Sequence, residues 1–339
     1  MRKEASKMEV NGKSIKEQVW VYVVSILILA IISNNTTVNK VETYIISDKI
    51  QGDNYKIVQI SDFHSMDYNL SDHQLYDTIQ DINPDSVVIT GDLLNCSPKR
   101  GNFKDDIKAI CKQFRKIAKG YLTYYINGNH EASVSKEVYT ELIDGLSNIG
   151  IKDLDNKTEI VRKGRTKLRL VGISDPAMDN RDIRNEKGYI EGIIDGNSKD
   201  MENNIYTILL AHRPERADEY SQVLVKDTSG IDLVLSGHTH GGLVQLPMIN
   251  GLIAPDQGLF PKYSDGLYEV NGIKLIVSSG LGSSIERIRW LNKPELNIII
   301  IKSDKYNSIS DNIKEGVKSI INDINRYNEG KKASSNRDK

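Results

Sequence analysis

Two of the six histidines in this 339-residue chain stand two apart within residues 236–242, SGHTHGG. Side chains at i and i+2 of an extended backbone project to the same side, so His238 and His240 can meet at one point in space. The flanking glycines let the chain turn tightly and let another group come close. Taken alone, the heptad reads equally well as a solvated polar loop. Four other short stretches bear on the choice: SDFH with Asp62 and His64, GDLLN with Asp92 and Asn95, GNHE with Asn129, His130 and Glu131, and AHRPE with His212. Each has an ordinary structural explanation, since Asp, His and Gly-Asp are common in turns, Asn129 can cap a helix, and a single buried histidine is often just hydrogen-bonded. As a set they say more. Five of the six histidines fall in these stretches, with His73 alone on a predicted helix, and two Asp, one Asn and four or five His make a ligand set for two adjacent divalent cations.

Composition narrows the donors. Cys96 and Cys111 are the only cysteines and form no C-x-x-C, which excludes a thiolate zinc site and a disulfide framework, though the two can be free thiols or one bridge. Any metal must therefore be held by His, Asp, Asn or Glu. With 45 basic against 46 acidic residues and a net charge of -1, there is no electrostatic case for a nucleic-acid partner.

The elements that must position these residues are legible as a series. YKIVQI, SVVIT, YLTYYI, KLRLVGI, IYTILLA and IDLVLS are short runs rich in Val, Ile, Leu and Tyr, several separated by helix-like stretches such as FKDDIKAICKQFRKIAKG and SKEVYTELIDGLSNIG. This alternation predicts an α/β domain. GLYEV, IKLIVSS and LNIIIIKS are joined by turns instead, so part of the sheet structure is expected to be antiparallel or mixed. Each polar stretch follows an apolar strand and emerges at its C-terminal end, where open α/β sheets build their sites. The stretch LPMINGLIAPDQGLFPKYSDG is expected to be a structured loop forming one wall of the cleft.

In this order the motifs resemble those of the calcineurin-like metallophosphoesterases: D-x-H, G-D-x-x-D, G-N-H-[DE], H and G-H-x-H are matched from Asp62 to His240. The SGHTHGG run is similar to that of the exported or membrane-anchored bacterial YkuE-like branch. The resemblance covers roughly residues 45–303 and implies a two-sheet, mixed α/β sandwich with a dinuclear centre between the sheets. Carried over residue by residue, it implies that Asp62, His64 and His240 hold one metal, Asn129, His212 and His238 the other, and that Asp92 bridges them. Mn, Fe, Zn or Co suit such donors. The implied reaction is hydrolysis of a phosphate mono- or diester by a metal-bridging hydroxide, with His130 stabilising the transition state or protonating the leaving group. Asn95 stands where the family usually has a second Asp that pairs with this histidine. Asn can orient an imidazole but cannot stabilise its cation by charge, so the alternative is a catalytically weak metal-binding or scaffold protein of the same fold. Arg287 and Arg289, in SSGLGSSIERIR, are candidates for binding substrate phosphate as well as for plain solvation.

The flanks carry a separate expectation. Residues 1–18 include Arg2, Lys3, Lys7, Lys13 and Lys16, and residues 19–33, VWVYVVSILILAIIS, are uncharged. A basic stretch before an apolar one, with no A-x-A-like site after it, predicts a signal anchor or transmembrane helix, or alternatively a cleaved signal. The basic end would stay in the cytoplasm and the rest face outward, toward phosphoesters of lipid or cell-envelope origin. Residues 34–54 read as a linker and leading strand, 55–303 as the catalytic domain, and 304–339 as an amphipathic helix over 311–327 with a disordered tail.

Overall fold

Apolar runs as continuous as SVVIT and YTILL need cover on both faces, and they have it. The computed structural model describes residues 9–10, 13–14, 19–25, 38–65, 74–96, 102–181, 185–196, 204–223, 230–242, 245–246, 250–282 and 292–304. The first sheet contains β1 (Asn39–Ser47), β2 (Tyr55–Ile60), β3 (Ser86–Thr90), β4 (Leu122–Ile126) and β5 (Lys152–Asp153). The second contains β6 (Lys157–Lys163), β7 (Thr166–Gly172), β8 (Tyr206–Leu210), β9 (Leu233–Ser236), β10 (Gly266–Val270) and β11 (Ile273–Val277). The last strand, β12 (Glu295–Ser303), returns to the first sheet, between β1 and β2. Strand order is therefore β1-β12-β2-β3-β4-β5 in one sheet and β10-β11-β9-β8-β7-β6 in the other. Both sheets are mixed, as expected: β12 runs antiparallel to β2, and β10 antiparallel to β11. The leading strand, β1, is the edge of the first sheet, paired along its whole length with β12.

The two-residue period of a strand sorts its side chains into layers. Val88 of β3 joins Leu170, Ile208 and Leu235 in the layer between the sheets. Val87 and Ile89 point the other way, onto α1 (Gln74–Ile82), α2 (Phe103–Gly120) and α4 (Lys136–Ile149) through Ile79, Phe114 and Leu146. A single turn, α3 (Asn129–Ala132), precedes α4. On the second sheet Leu209 and Val234 pack outward against Ile190, Ile194 and Tyr220, carried by α5 (Glu186–Gly196) and α6 (Ala217–Tyr220). The result is helix, sheet, sheet, helix. The helices end where the chain chemistry says they should: Ser135 Oγ accepts from the Val138 amide to start α4, and Gly150, at φ 97°, ends it in the left-handed conformation.

Residues 19–25 are helical, with Trp20 and Tyr22 exposed. Among the described residues no helix is long and apolar enough to cross a membrane. The remainder of the apolar run, the helix expected over 311–327 and the polar tail lie outside the described residues, as do His73, Arg287 and Arg289.

Candidate metal centre

The parallel strands of both sheets deliver their C-terminal ends to one place. Gln59 Nε2 donates to the Ser236 carbonyl at 2.9 Å, and His212 Nδ1 lies 2.8 Å from the Thr90 carbonyl, each bond crossing from one sheet to the other. Two glycines make that approach possible. A Cβ on Gly237 would stand 1.8 Å from Ser61 Oγ and 2.4 Å from Asp62 Oδ2. A Cβ on Gly91, where φ is +95°, would stand 2.6 Å from His212 Nδ1. Beyond the strand ends the backbone is strained. Asp62, His64, Asp92, His238 and His240 hold φ between 50° and 72°, a left-handed conformation that costs an L-residue on the order of 1–3 kcal/mol and gathers at functional sites.

Two donor groups result. Asp62, His64 and His240 each place a ligand atom within 4.8 Å of the other two, and so do Asp92, His212 and His238. Asn129 joins the second group, its Oδ1 lying 3.1 Å from His212 Nε2. Asp92 reaches both: its Oδ2 lies 3.3 Å from His212 Nε2 and 3.9 Å from His64 Nε2. All but Asn129 are buried. Every residue proposed as a ligand from the sequence is therefore in the cluster.

The protons show what the cluster is built to hold. A carbonyl only accepts, so His64 Nδ1, 3.2 Å from Leu94 O, and His212 Nδ1, facing Thr90 O, carry hydrogens. In the neutral imidazoles this leaves the Nε2 lone pairs pointing inward. There His64 Nε2 meets His240 Nε2 at 3.3 Å, and His212 Nε2 meets the oxygens of Asn129 and Asp92. At His212 a lone pair facing two oxygens needs a cation between them, proton or metal, and the His64 lone pair is open to a metal or to a hydrogen on His240 Nε2. Burial pushes His64 down to about 3, so a proton is disfavoured there. At His212 burial is outweighed by the Asp92 carboxylate, which lifts it to about 10. Burial would raise Asp92 too, but the surrounding imidazoles hold it well below the usual carboxylate range. Carboxylate, amide oxygen and imidazole fit Mn, Fe, Zn or Co.

His130 sits beside the cluster, its ring centroid 4.5 Å from that of His64 and its Nε2 3.9 Å from Asp92 Oδ2. The partner at Nδ1 is one position beyond Asn95: the Cys96 amide donates at 3.1 Å, and Cys96 Sγ lies at 3.2 Å. Asn95, at the position where the resemblance implies a partner for this histidine, is buried, and the residue that meets Nδ1 is Cys96. An amide donor at Nδ1 leaves the ring proton on Nε2, toward the cluster. That holds for the neutral ring. Burial lowers the His130 pKa, while the Cys96 side chain and Asp92 pull it up to about 9, and in the cation so favoured Nδ1 also carries a hydrogen, which faces Cys96 Sγ. Cys96 and Cys111 are free thiols.

GNHE forms a turn capped at Gly128, not at Asn129. Glu131 closes it, its carboxylate accepting from the amides of Gly128, Asp92 and Leu94 at 2.8, 2.9 and 2.8 Å. One buried side chain thus ties the Asp92–Leu94 loop to the turn that carries Asn129 and His130. The structure adds residues with no short-range signal. Asp256, at the tip of the hairpin joining Ile253–Ala254 to Gly258–Leu259, places Oδ2 3.0 Å from His238 Nε2. Arg213, next to His212, bridges Asp175 and Asp256. Glu215, His238 and Asp256 form another close group of potential ligands, but the Arg213 guanidinium already supplies its positive charge. The Pro- and Gly-rich loop does border the site, through Asp256. Downstream, the amides of Leu281 and Gly282 donate to Ser61 and Asp62 carbonyls at 2.9 and 2.6 Å, bracing the Asp62 turn.

Residues 55–242 match the family model described as calcineurin-like phosphoesterase, a span that contains every candidate ligand. The chain is 29% identical over 255 residues to a Bacillus subtilis protein named uncharacterized metallophosphoesterase YkuE, covering 74% of this chain and 80% of that one. It is 31% identical over 257 residues to a Campylobacter jejuni uncharacterized metallophosphoesterase, with 74% of this chain and 60% of the relative covered. Among solved structures, phosphopantetheinyl hydrolase from Mycobacterium tuberculosis superposes at a TM-score of 0.38 with 11% identity, over 68% of this chain and 90% of that one. That superposition is too loose to bear on function.

Proposed function

The chain belongs to the calcineurin-like phosphoesterase family, and from that premise we propose that it hydrolyses phosphate mono- or diesters at a site for two divalent cations. The observation that carries this reading is the position of Asp92, one carboxylate within reach of both donor groups. Asp62, His64 and His240 would hold one ion, Asn129, His212 and His238 the other, with Asp92 shared. When bound, such ions supply Lewis acidity and neutralise phosphoryl charge.

The chain's own residues do the rest. The Leu94 and Thr90 carbonyls set the tautomers of His64 and His212. The Cys96 amide sets that of His130, so its Nε2–H is aimed at the cluster, where it can donate to a leaving alkoxide. Glu131 keeps the Asp92 and His130 turns in register. The buried setting strengthens each of these electrostatic contacts. The basic and apolar stretches of residues 1–33 support a membrane tether with the phosphoesterase domain outside the cytoplasm, where lipid or cell-envelope phosphoesters would be its substrates.

The test is metal analysis of the purified chain combined with a panel of phosphate monoesters and diesters. The expected result is two divalent ions per chain and turnover that chelation removes. Asp92→Ala should lose metal and turnover together. Normal turnover and two bound ions in Asp92→Ala would overturn the shared-carboxylate reading, and full metal loading with no turnover on any ester would favour the metal-binding scaffold.

A further inference from the structure

Arg213 is held in an unusual way for a residue at the rim of a site. Its Nε donates to Asp175 Oδ2 at 2.7 Å and its Nη2 to Asp175 Oδ1 at 3.3 Å, a two-pronged grip on a buried carboxylate. Asp175 is itself fixed: its amide donates to Asn127 Oδ1 at 2.6 Å, and its Oδ1 accepts from the Ala177 amide at 2.9 Å. The guanidinium therefore has one orientation, with Nη1 left to face the other way. Nη1 meets Asp256 Oδ2, with Glu215 Oε1 farther off at 3.5 Å. The same Asp256 oxygen is the one 3.0 Å from His238 Nε2.

The two sides of this contact differ in character. The Arg213 side chain is 16% exposed and that of His238 4%, whereas the Asp256 side chain is 53% exposed. Asp256 stands with φ +55° at the tip of a hairpin whose strands are two residues each, the smallest pairing a hairpin can have. A half-solvated carboxylate can leave its partners cheaply, because water already covers much of it. What it would leave behind is a rigid guanidinium nitrogen and the Nε2–H of His238 converging on one oxyanion position, with Nδ1 the atom of that ring left to hold a metal.

We infer that Arg213 Nη1 and His238 Nε2 form an oxyanion subsite for a phosphoryl oxygen of the substrate, and that Asp256 is the resident carboxylate which the phosphate displaces. The inference rests on the phosphoesterase reading above. Phosphate carries more charge than a carboxylate and is the better partner for a preset guanidinium, so the exchange favours binding. Asp256 also keeps the subsite closed to weaker anions.

The experiment measures inorganic phosphate binding to the full-length, Mn-loaded protein by calorimetry, with metal content determined alongside. Asp256→Ala and Asp256→Asn should bind phosphate more tightly than the parent, by about tenfold, at unchanged metal content. Arg213→Lys, which keeps a cation on Asp175 but lacks the second prong, should bind it about tenfold more weakly. Combined with Asp256→Ala it should cancel the gain. Loss of metal in the Asp256 variants would overturn the subsite and make Asp256 a brace for His238. Unchanged phosphate affinity in both Asp256 variants, or no phosphate binding to any form, would overturn it too. Turnover of p-nitrophenyl phosphate by the parent in that case would leave the phosphoesterase reading standing.

Discussion

With Cys96 at Nδ1, the nitrogen of His130 that can meet a leaving group is Nε2. A general acid matters most where the leaving group is poor, because an alkoxide needs a proton and p-nitrophenolate scarcely does. His130→Ala should therefore slow alkyl phosphoesters by about 10²–10⁴-fold while p-nitrophenyl esters lose far less, as parallel kinetics at equal metal loading would show. The position of Cys96 also bears on Asn95→Asp. A carboxylate one residue short of the contact should leave the pH–rate profile on an alkyl ester superimposable on the parent's, whereas an upward move of its basic limb would mean that residue 95 is coupled to the imidazole after all. Glu131 is the other residue whose change is readable. Its two oxygens accept from three amides, and Glu131→Gln would turn an amide donor toward one of them. The loss should be on the order of 1–3 kcal/mol, measurable by urea denaturation.

Strand ends and tight turns set the next scale. Gly237→Ala would drive a methyl into Ser61 and Asp62, and neither can retreat, since the Asp62 carboxylate already accepts from the His238 amide at 3.1 Å. A destabilisation of about 1–3 kcal/mol together with weakened metal binding is expected. A variant that kept parental stability and metal content would show that the two sheets can separate at this edge without cost. Layering makes a different demand. Leu170 lies between the sheets, away from the strand ends, and is fully buried. Leu170→Ala should cost about 2–5 kcal/mol while leaving metal stoichiometry at the folded site unchanged.

At the scale of the molecule, binding to the folded state alone adds stability by mass action. A divalent ion at about 100 times its dissociation constant contributes roughly 2.7 kcal/mol. Manganese should raise the melting temperature of the parent and fail to raise that of Asp92→Ala, and chelation should reverse the shift. The tether makes its own prediction. Protease added to intact cells should digest the region after residue 34 and leave a short membrane-bound N-terminal fragment, and protection of the domain until lysis would place it on the cytoplasmic side. The segment itself is described only over residues 19–25, as an exposed apolar helix.

Read from the amino acids alone, the chain already specified its strands, the order of its motifs and the identity of the clustered donors. Those are local properties: an apolar run and the polar residues after it share one strand, and a strand end points where its strand points. His238 and His240 came from the same logic. The layering was not legible, because a run such as SVVIT is apolar at every position and does not say that Val88 faces a second sheet while Val87 and Ile89 face helices. Nor were the residues that hold the donors in place. Cys96 meets His130 across 34 residues, Arg213 meets Asp175 across 38, and Asp256 meets His238 from a separate hairpin. The left-handed backbone at Asp62, His64, Asp92, His238 and His240 is one that Asp and His tolerate better than most residues but that no local pattern demanded. Spacing encodes what one element does, whereas these contacts arise only when loops from two sheets are packed edge to edge, and that was decided by the tertiary structure.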